Sequence, residues 1–238
     1  MLIYGINPVL EALRAGQVRE LRVSDRAGAT LRDVIKIAER EHVAVRRVPQ
    51  GDLDRAAKGG VHQGVVADMR EARTFTVQDL VEGAAGSPLI VVLDGIEDPH
   101  NVGAILRTAD AAGVDGVVRQ SRHAAPLGGA AAKASAGAVA HVRVADVVNI
   151  ARALEELKEA GVWTVGLAGE APQSYDRMDF TLPTAIVLGA EDSGLRRLVR
   201  ERCDWLVSIP MGGRVQSLNV SVAAGIALFE AVRQRRRK

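Results

Sequence analysis

At 238 residues, 47% apolar and 25% charged, the chain has the size and balance of an ordinary globular enzyme with one large or two small domains. Its lone cysteine, Cys203, excludes an internal disulfide framework, and its five scattered histidines lack zinc-ligand spacing, so no metal is expected. A net charge of +2, no apolar run near the roughly 18–20 residues needed to span a bilayer, and no signal-peptide pattern at the start point to a cytoplasmic protein with no membrane partner.

Residues 1 to 72 alternate short helices and strands. Asn7 to Leu13 reads as a helix with Asn7 as N-cap, Pro8 at the first helical position and Gly16 beyond its end. Strands follow at Glu20 to Ser24, Val43 to Val48 and Gly64 to Met69, with a helix marked by Leu31, Val34, Ile35 and Ala38. Residues 73 to 88 lose both periodicities, apart from a single turn at Val77 to Val81, and read as a linker. From Leu89 the pattern becomes regular. Leu89 to Leu93 and Ala185 to Leu188 are unbroken apolar runs, as in parallel strands buried on both faces. Gly116 to Val118, Val162 to Leu167 and Trp205 to Ile209 are further strands. Helices cover Val102 to Ala112, Asn149 to Ala160, Leu195 to Arg202 and Ser217 to Arg235, the last with Leu218, Val222, Ile226, Phe229 and Val232 on one face. This alternation predicts a second α/β domain, residues 89 to 238, with a mainly parallel sheet.

Three strand-to-helix junctions collect the polar residues that the pattern leaves unexplained. They are Asp94 to Arg107, Leu188 to Gly194 and Ile209 to Ser221, and in an open parallel sheet such junctions bind ligands. Asn101 and Ser217 read equally well as helix N-caps. Arg107, between core-facing Leu106 and Ala109, can project toward the strand ends or simply into solvent. Gly189 lets backbone approach a ligand, with Glu191 standing at the mouth of that turn. Dinucleotide, Walker and nucleophile-elbow motifs are absent. Only five of the 31 basic residues are lysines. Arginine suits phosphate and stacks on bases, but a GC-rich gene would give the same bias. The residues by themselves support an α/β enzyme with a small-molecule pocket built by its C-terminal loops.

Taken together, Leu188-Gly-Ala-Glu-Asp-Ser-Gly194, Ile209-Pro-Met211 and Ser217-Leu-Asn-Val-Ser221 resemble the motifs of the SpoU (TrmH) family of SPOUT-class RNA 2'-O-ribose methyltransferases. The similarity runs over residues 89 to 235. Ile3-Tyr-Gly-Ile-Asn-Pro-Val-Leu-Glu-Ala12 and Val61-His-Gln-Gly64 resemble the L30e-like RNA-binding domain of the branch acting on large-subunit rRNA. The chain departs from the family at Ala140, where many members carry glutamate, and in the Ala- and Gly-rich stretch from Gln120 to Gly129.

The resemblance implies a deep C-terminal trefoil knot, a homodimer, RNA as partner and S-adenosylmethionine as methyl donor. Leu188, Gly189, Ile209, Met211, Ser217 and Leu218 would hold that cofactor. Asn101, Arg107, Glu191, Ser217 and Asn219 would surround the reacting ribose, that of a guanosine in the family's rRNA branch. A guanidinium titrates above about 12, so Arg107 is better suited to stabilising charge than to taking a proton. A tRNA methylase, a methylase of another rRNA site, and a non-catalytic RNA-binding protein remain the alternatives.

Overall fold

The computed structural model describes residues 1–26, 28–70, 74–215 and 217–236. The expected boundary between the N-terminal domain and the linker, at 72/73, lies outside the described residues. The chain forms two compact units. One comprises Met1–Arg73, Val102–Arg107 and Pro126–His141, and the other Thr74–Asn101, Thr108–Ala125 and Val142–Lys238.

In chain order the first unit contains β1 (Leu2–Tyr4), α1 (Ile6–Arg14), β2 (Val18–Ser24), α2 (Arg32–Arg40), β3 (Ala44–Val48), α3 (Gln50–Ala56) and β4 (Val65–Met69). Its sheet has the order β1-β4-β2-β3, with β2 and β3 parallel and the other pairs antiparallel. Alternation sets its faces. Tyr4 and Val66 pack with Leu53 and Ala57, while Val9, Leu13, Val34 and Ala38 give α1 and α2 buried stripes. Asn7 is not the cap of α1. The helix begins at Ile6, two residues before the expected first helical position, after Gly5, whose φ of 95° only glycine adopts readily.

The remaining elements are α4 (Val77–Glu82), β5 (Leu89–Asp94), α5 (Pro99–Ala111), β6 (Gly116–Gln120), α6 (Gly129–Ala134), β7 (Val144–Val147), α7 (Ile150–Glu159), β8 (Trp163–Leu167), β9 (Gln173–Ser174), β10 (Thr184–Gly189), α8 (Arg197–Arg202), β11 (Trp205–Ser208) and α9 (Val220–Arg235). The second unit is built on a seven-stranded sheet, β7-β6-β5-β10-β8-β11-β9, in which every pairing is parallel. β5 is buried along its whole length, as the apolar run predicts. Val92, Val118, Val187, Leu154 and Leu157 belong to one core cluster with Val77 and Leu80 of α4, so the segment read as linker contributes to this core.

Two caps differ from expectation. Asp98 caps α5, accepting from His100 N at 3.0 Å, with Pro99 as the first helical residue. Asn219, not Ser217, caps α9. The outward face of α9 is also apolar. The helix buries Val220, Ala224, Ala227, Leu228 and Ala231, whereas Val222 and Phe229 are 49% and 48% exposed. Three alanines, with Val220 and Leu228, form the inward face, while Ile226 and Val232 of the expected stripe are half-buried.

A polar clasp ties α7 to β8 and β11. Burial pushes the Asp204 carboxyl up, but Lys158 Nζ at 2.9 Å and the Thr164 N–H and Oγ1 donors at 2.9 and 2.7 Å outweigh it and hold it below 3.8. A depressed folded-state value stabilises the protein above the unfolded value, and that stability is lost as pH falls through the folded one. Asp204→Asn is therefore expected to lower stability near pH 7 and to narrow its gap from wild type below about pH 4. Urea unfolding between pH 3 and 7 measures this, and a gap constant with pH overturns it.

Candidate active site

The parallel sheet brings the carboxyl ends of β8, β10 and β11 to one edge. A pocket there is lined by Leu167 to Gly169 after β8, Leu188 to Glu191 from β10, Ile209 and Met211 after β11, and Ser217, Leu218 and Val220 at the start of α9. Its walls are apolar side chains and loop backbone. Among the described residues its lining has one carboxylate, Glu191, and no lysine or arginine.

Beside it, residues from three distant parts of the chain are hydrogen-bonded. Asn101 Nδ2 donates to Glu191 Oε2 at 3.1 Å, and Asn219 Nδ2 donates to Asn101 Oδ1 at 2.9 Å and Glu191 Oε1 at 3.3 Å. Asn101 is only 8% exposed. Because Asp98 supplies the cap of α5, the Asn101 amide is free to turn toward Glu191. Asn219 both caps α9, through Oδ1, and reaches Glu191 through Nδ2.

The turn carrying Glu191 is closed from two sides. Ala190 and Gly194 exchange backbone hydrogen bonds at 3.1 and 2.8 Å. Arg196 then fastens the returning chain to Asp94, whose fully buried carboxylate accepts from Arg196 N at 2.8 Å, from Nε at 2.6 Å and from the guanidinium Nη2. A buried carboxylate needs such partners. Gly189 proves necessary for a reason other than the one expected. A Cβ there would overlap the backbone of Gly194 and Leu195, so the turn's own return strand fills the space, although Gly189 still lines the pocket.

Leu188, Gly189, Glu191, Ile209, Met211, Ser217 and Leu218 thus all line one pocket, and Asn101 and Asn219 join it through Glu191. Arg107 is exposed, on the part of α5 that belongs to the first unit. Leu167 to Gly169, Asp94 and Arg196 were not singled out from the sequence. The first three are apolar or small, and the pairing of the last two across 102 positions leaves no local signal. Cys203 stands apart. Burial pushes its thiol up to about 12, the neighbouring Lys158 pulling the other way, and its Sγ donates to Val199 O at 3.3 Å. Among the described residues no group of three or more His, Cys, Asp or Glu side chains could hold a metal ion. No helix among them is long and apolar enough to cross a membrane.

The SpoU rRNA Methylase family matches residues 88–229, and the RNA 2'-O ribose methyltransferase substrate-binding family matches residues 2–75. The 23S rRNA (guanosine-2'-O-)-methyltransferase RlmB of Yersinia pestis is 45% identical over 98% of this chain and 97% of its own. RlmB of Xylella fastidiosa strain Temecula1 is 46% identical over 98% of this chain and 96% of its own. Among solved structures, the SpoU methyltransferase AviRb of Streptomyces viridochromogenes in complex with AdoMet superposes with a TM-score of 0.83. It is 26% identical and covers all of this chain and 91% of its own. The chain belongs to the SpoU rRNA methylase family.

Proposed function

We propose that this protein transfers a methyl group from S-adenosylmethionine to the ribose 2'-hydroxyl of a guanosine in 23S rRNA. The observation carrying the reading is the Asn101–Glu191–Asn219 cluster on the rim of an apolar, backbone-lined pocket. That pocket fits the donor's chemistry. Leu188, Ile209 and Leu218 offer walls to an adenosyl group, and Gly189, at the end of β10, and Met211, in the loop after β11, line the pocket as well. One carboxylate and no basic side chain suit a sulfonium cation better than a phosphate-bearing cofactor. When bound, S-adenosylmethionine supplies an electrophilic methyl group. Asn101, Glu191, Ser217 and Asn219 orient the ribose, and Arg107 stabilises charge on the RNA as the hydroxyl oxygen takes the methyl group and releases its proton to solvent water.

The relatives named as 23S rRNA guanosine methyltransferases span both units at 45–46% identity, which supports rRNA over tRNA as substrate. The first unit, whose sequence matches the substrate-binding family, serves as the RNA grip, and Arg47 and Lys58 are exposed on it. An rRNA substrate implies work in the cytoplasm. The apolar outward face of α9, at Val222 and Phe229, suits burial against a second copy, consistent with a homodimer. Sedimentation equilibrium giving a monomer overturns that last element. The deep C-terminal knot belongs to the same family reading.

The test supplies the purified protein with methyl-labelled S-adenosylmethionine and, separately, 23S rRNA, an assembling large subunit and tRNA. Label resistant to alkaline cleavage beside one guanosine of 23S rRNA is expected. Label in tRNA alone moves the substrate to that branch. RNA binding without any transfer replaces the enzyme by a binding protein.

A further inference from the structure

Ser221, in the first turn of α9, is hydrogen-bonded to the cluster through Asn219. Its backbone N–H donates to Asn219 Oδ1 at 2.9 Å, and its hydroxyl donates to the same oxygen at 2.6 Å. The first bond is an ordinary helix cap. The second is an addition that capping does not require.

An asparagine amide has two ends of nearly equal size, so hydrogen bonds decide which way it faces. With the Ser221 N–H on Oδ1, a reversed Asn219 would set its own NH2 against that fixed donor, whereas the hydroxyl, able to donate or accept, adds hold and not direction. Nδ2 must therefore face Asn101 Oδ1 and Glu191 Oε1. Asn101 Oδ1, now an acceptor, turns its own Nδ2 onto Glu191 Oε2. Donation runs in one direction from the Ser221 hydroxyl to the two oxygens of Glu191. Asn219 uses both acceptor sites of Oδ1 and both protons of Nδ2 within the protein.

We infer that Ser221 is a positioning residue whose hydroxyl, as a second bond to Asn219 Oδ1, holds that amide in the direction its N–H sets, and through it that of Asn101, so that both donors converge on Glu191. This rests on the reading of Asn101, Asn219 and Glu191 as site residues of the methyl transfer.

A double-mutant cycle tests it. Ser221→Ala is expected to slow single-turnover methyl transfer about tenfold, the scale of one well-placed hydrogen bond, with RNA KM and S-adenosylmethionine Kd changed less than about twofold. Ser221→Thr keeps the hydroxyl and restores the rate. In an Asn219→Ala background, Ser221→Ala has no further effect. An equal loss in that background, or a full rate in Ser221→Ala alone, overturns the inference. A second readout needs neither RNA nor cofactor. The side-chain amide resonances of both Asn101 and Asn219 are expected to shift in ¹⁵N-labelled Ser221→Ala protein and to return in Ser221→Thr. Unmoved resonances overturn the inference even if wild type proves inactive, whereas shifted resonances with no transfer by wild type remove only the functional reading beneath it.

Discussion

Gly189→Ala is expected to abolish S-adenosylmethionine binding as completely as Gly189→Val. Were the glycine needed only to admit a ligand, one methyl group would cost little and only the branched side chain would block the approach. The obstacle is instead the protein's own backbone, since any Cβ at this position overlaps Gly194 and Leu195. The return strand cannot give way cheaply, because Ala190 and Gly194 are paired and Arg196 is fastened to buried Asp94. Overpacking of this kind costs about 1–3 kcal/mol or more, and here it falls on the turn that carries Glu191. Titration calorimetry should give no heat where wild type saturates, while circular dichroism shows the sheet intact. Wild-type affinity in Gly189→Ala would return the glycine to a ligand-approach role.

Arg107→Ala is expected to cut turnover about 100-fold, the scale of losing one transition-state donor, with cofactor affinity nearly unchanged. Arg107 is exposed, so the substitution should alter stability by less than about 0.5 kcal/mol and a lost rate cannot be assigned to unfolding. Arg107→Lys should rescue little, because lysine keeps the charge without the planar fork. Single-turnover rates at saturating RNA remove RNA affinity from the comparison. A normal rate in Arg107→Ala would leave the chemistry to Asn101, Glu191, Ser217 and Asn219.

The parallel sheet was legible because strands buried on both faces write unbroken apolar runs, as at Leu89 to Leu93 and Ala185 to Leu188. Cap positions were not. Asp98 and Asn101 lie within one turn, as do Ser217 and Asn219, and N-cap preference ranks these residue types almost equally. Only the fold shows which amide is left to face Glu191. α6 and β7 escaped notice because Gly-Ala-Ala-Ala-Lys-Ala carries no amphipathic period and Val144–Val147 is a short edge strand. The orientation of α9 was hidden by its being apolar on more than one side. Glu191 and the pocket loops were visible as polar or glycine-rich residues at strand ends, but the Asp94–Arg196 clasp that holds them joins residues with no shared local pattern.

The strand order also governs how the chain can be made. β5 pairs on one side with β6, which follows it closely, but its other edge must wait for β10, so that Leu89 meets Thr184 only after β6, β7 and β8 have left the ribosome. A nascent chain therefore carries a strand with a five-residue apolar run and one open edge through much of its synthesis, and such non-local parallel pairing is slow and prone to misassociation. Asn101 is translated early, yet its partners Glu191 and Asn219 arrive near the end. A chain truncated before Asn219 would retain all eleven described strands but lose Asn219 from the amide–carboxylate cluster, so incompletely synthesised copies would lack the full network on which the proposed activity depends.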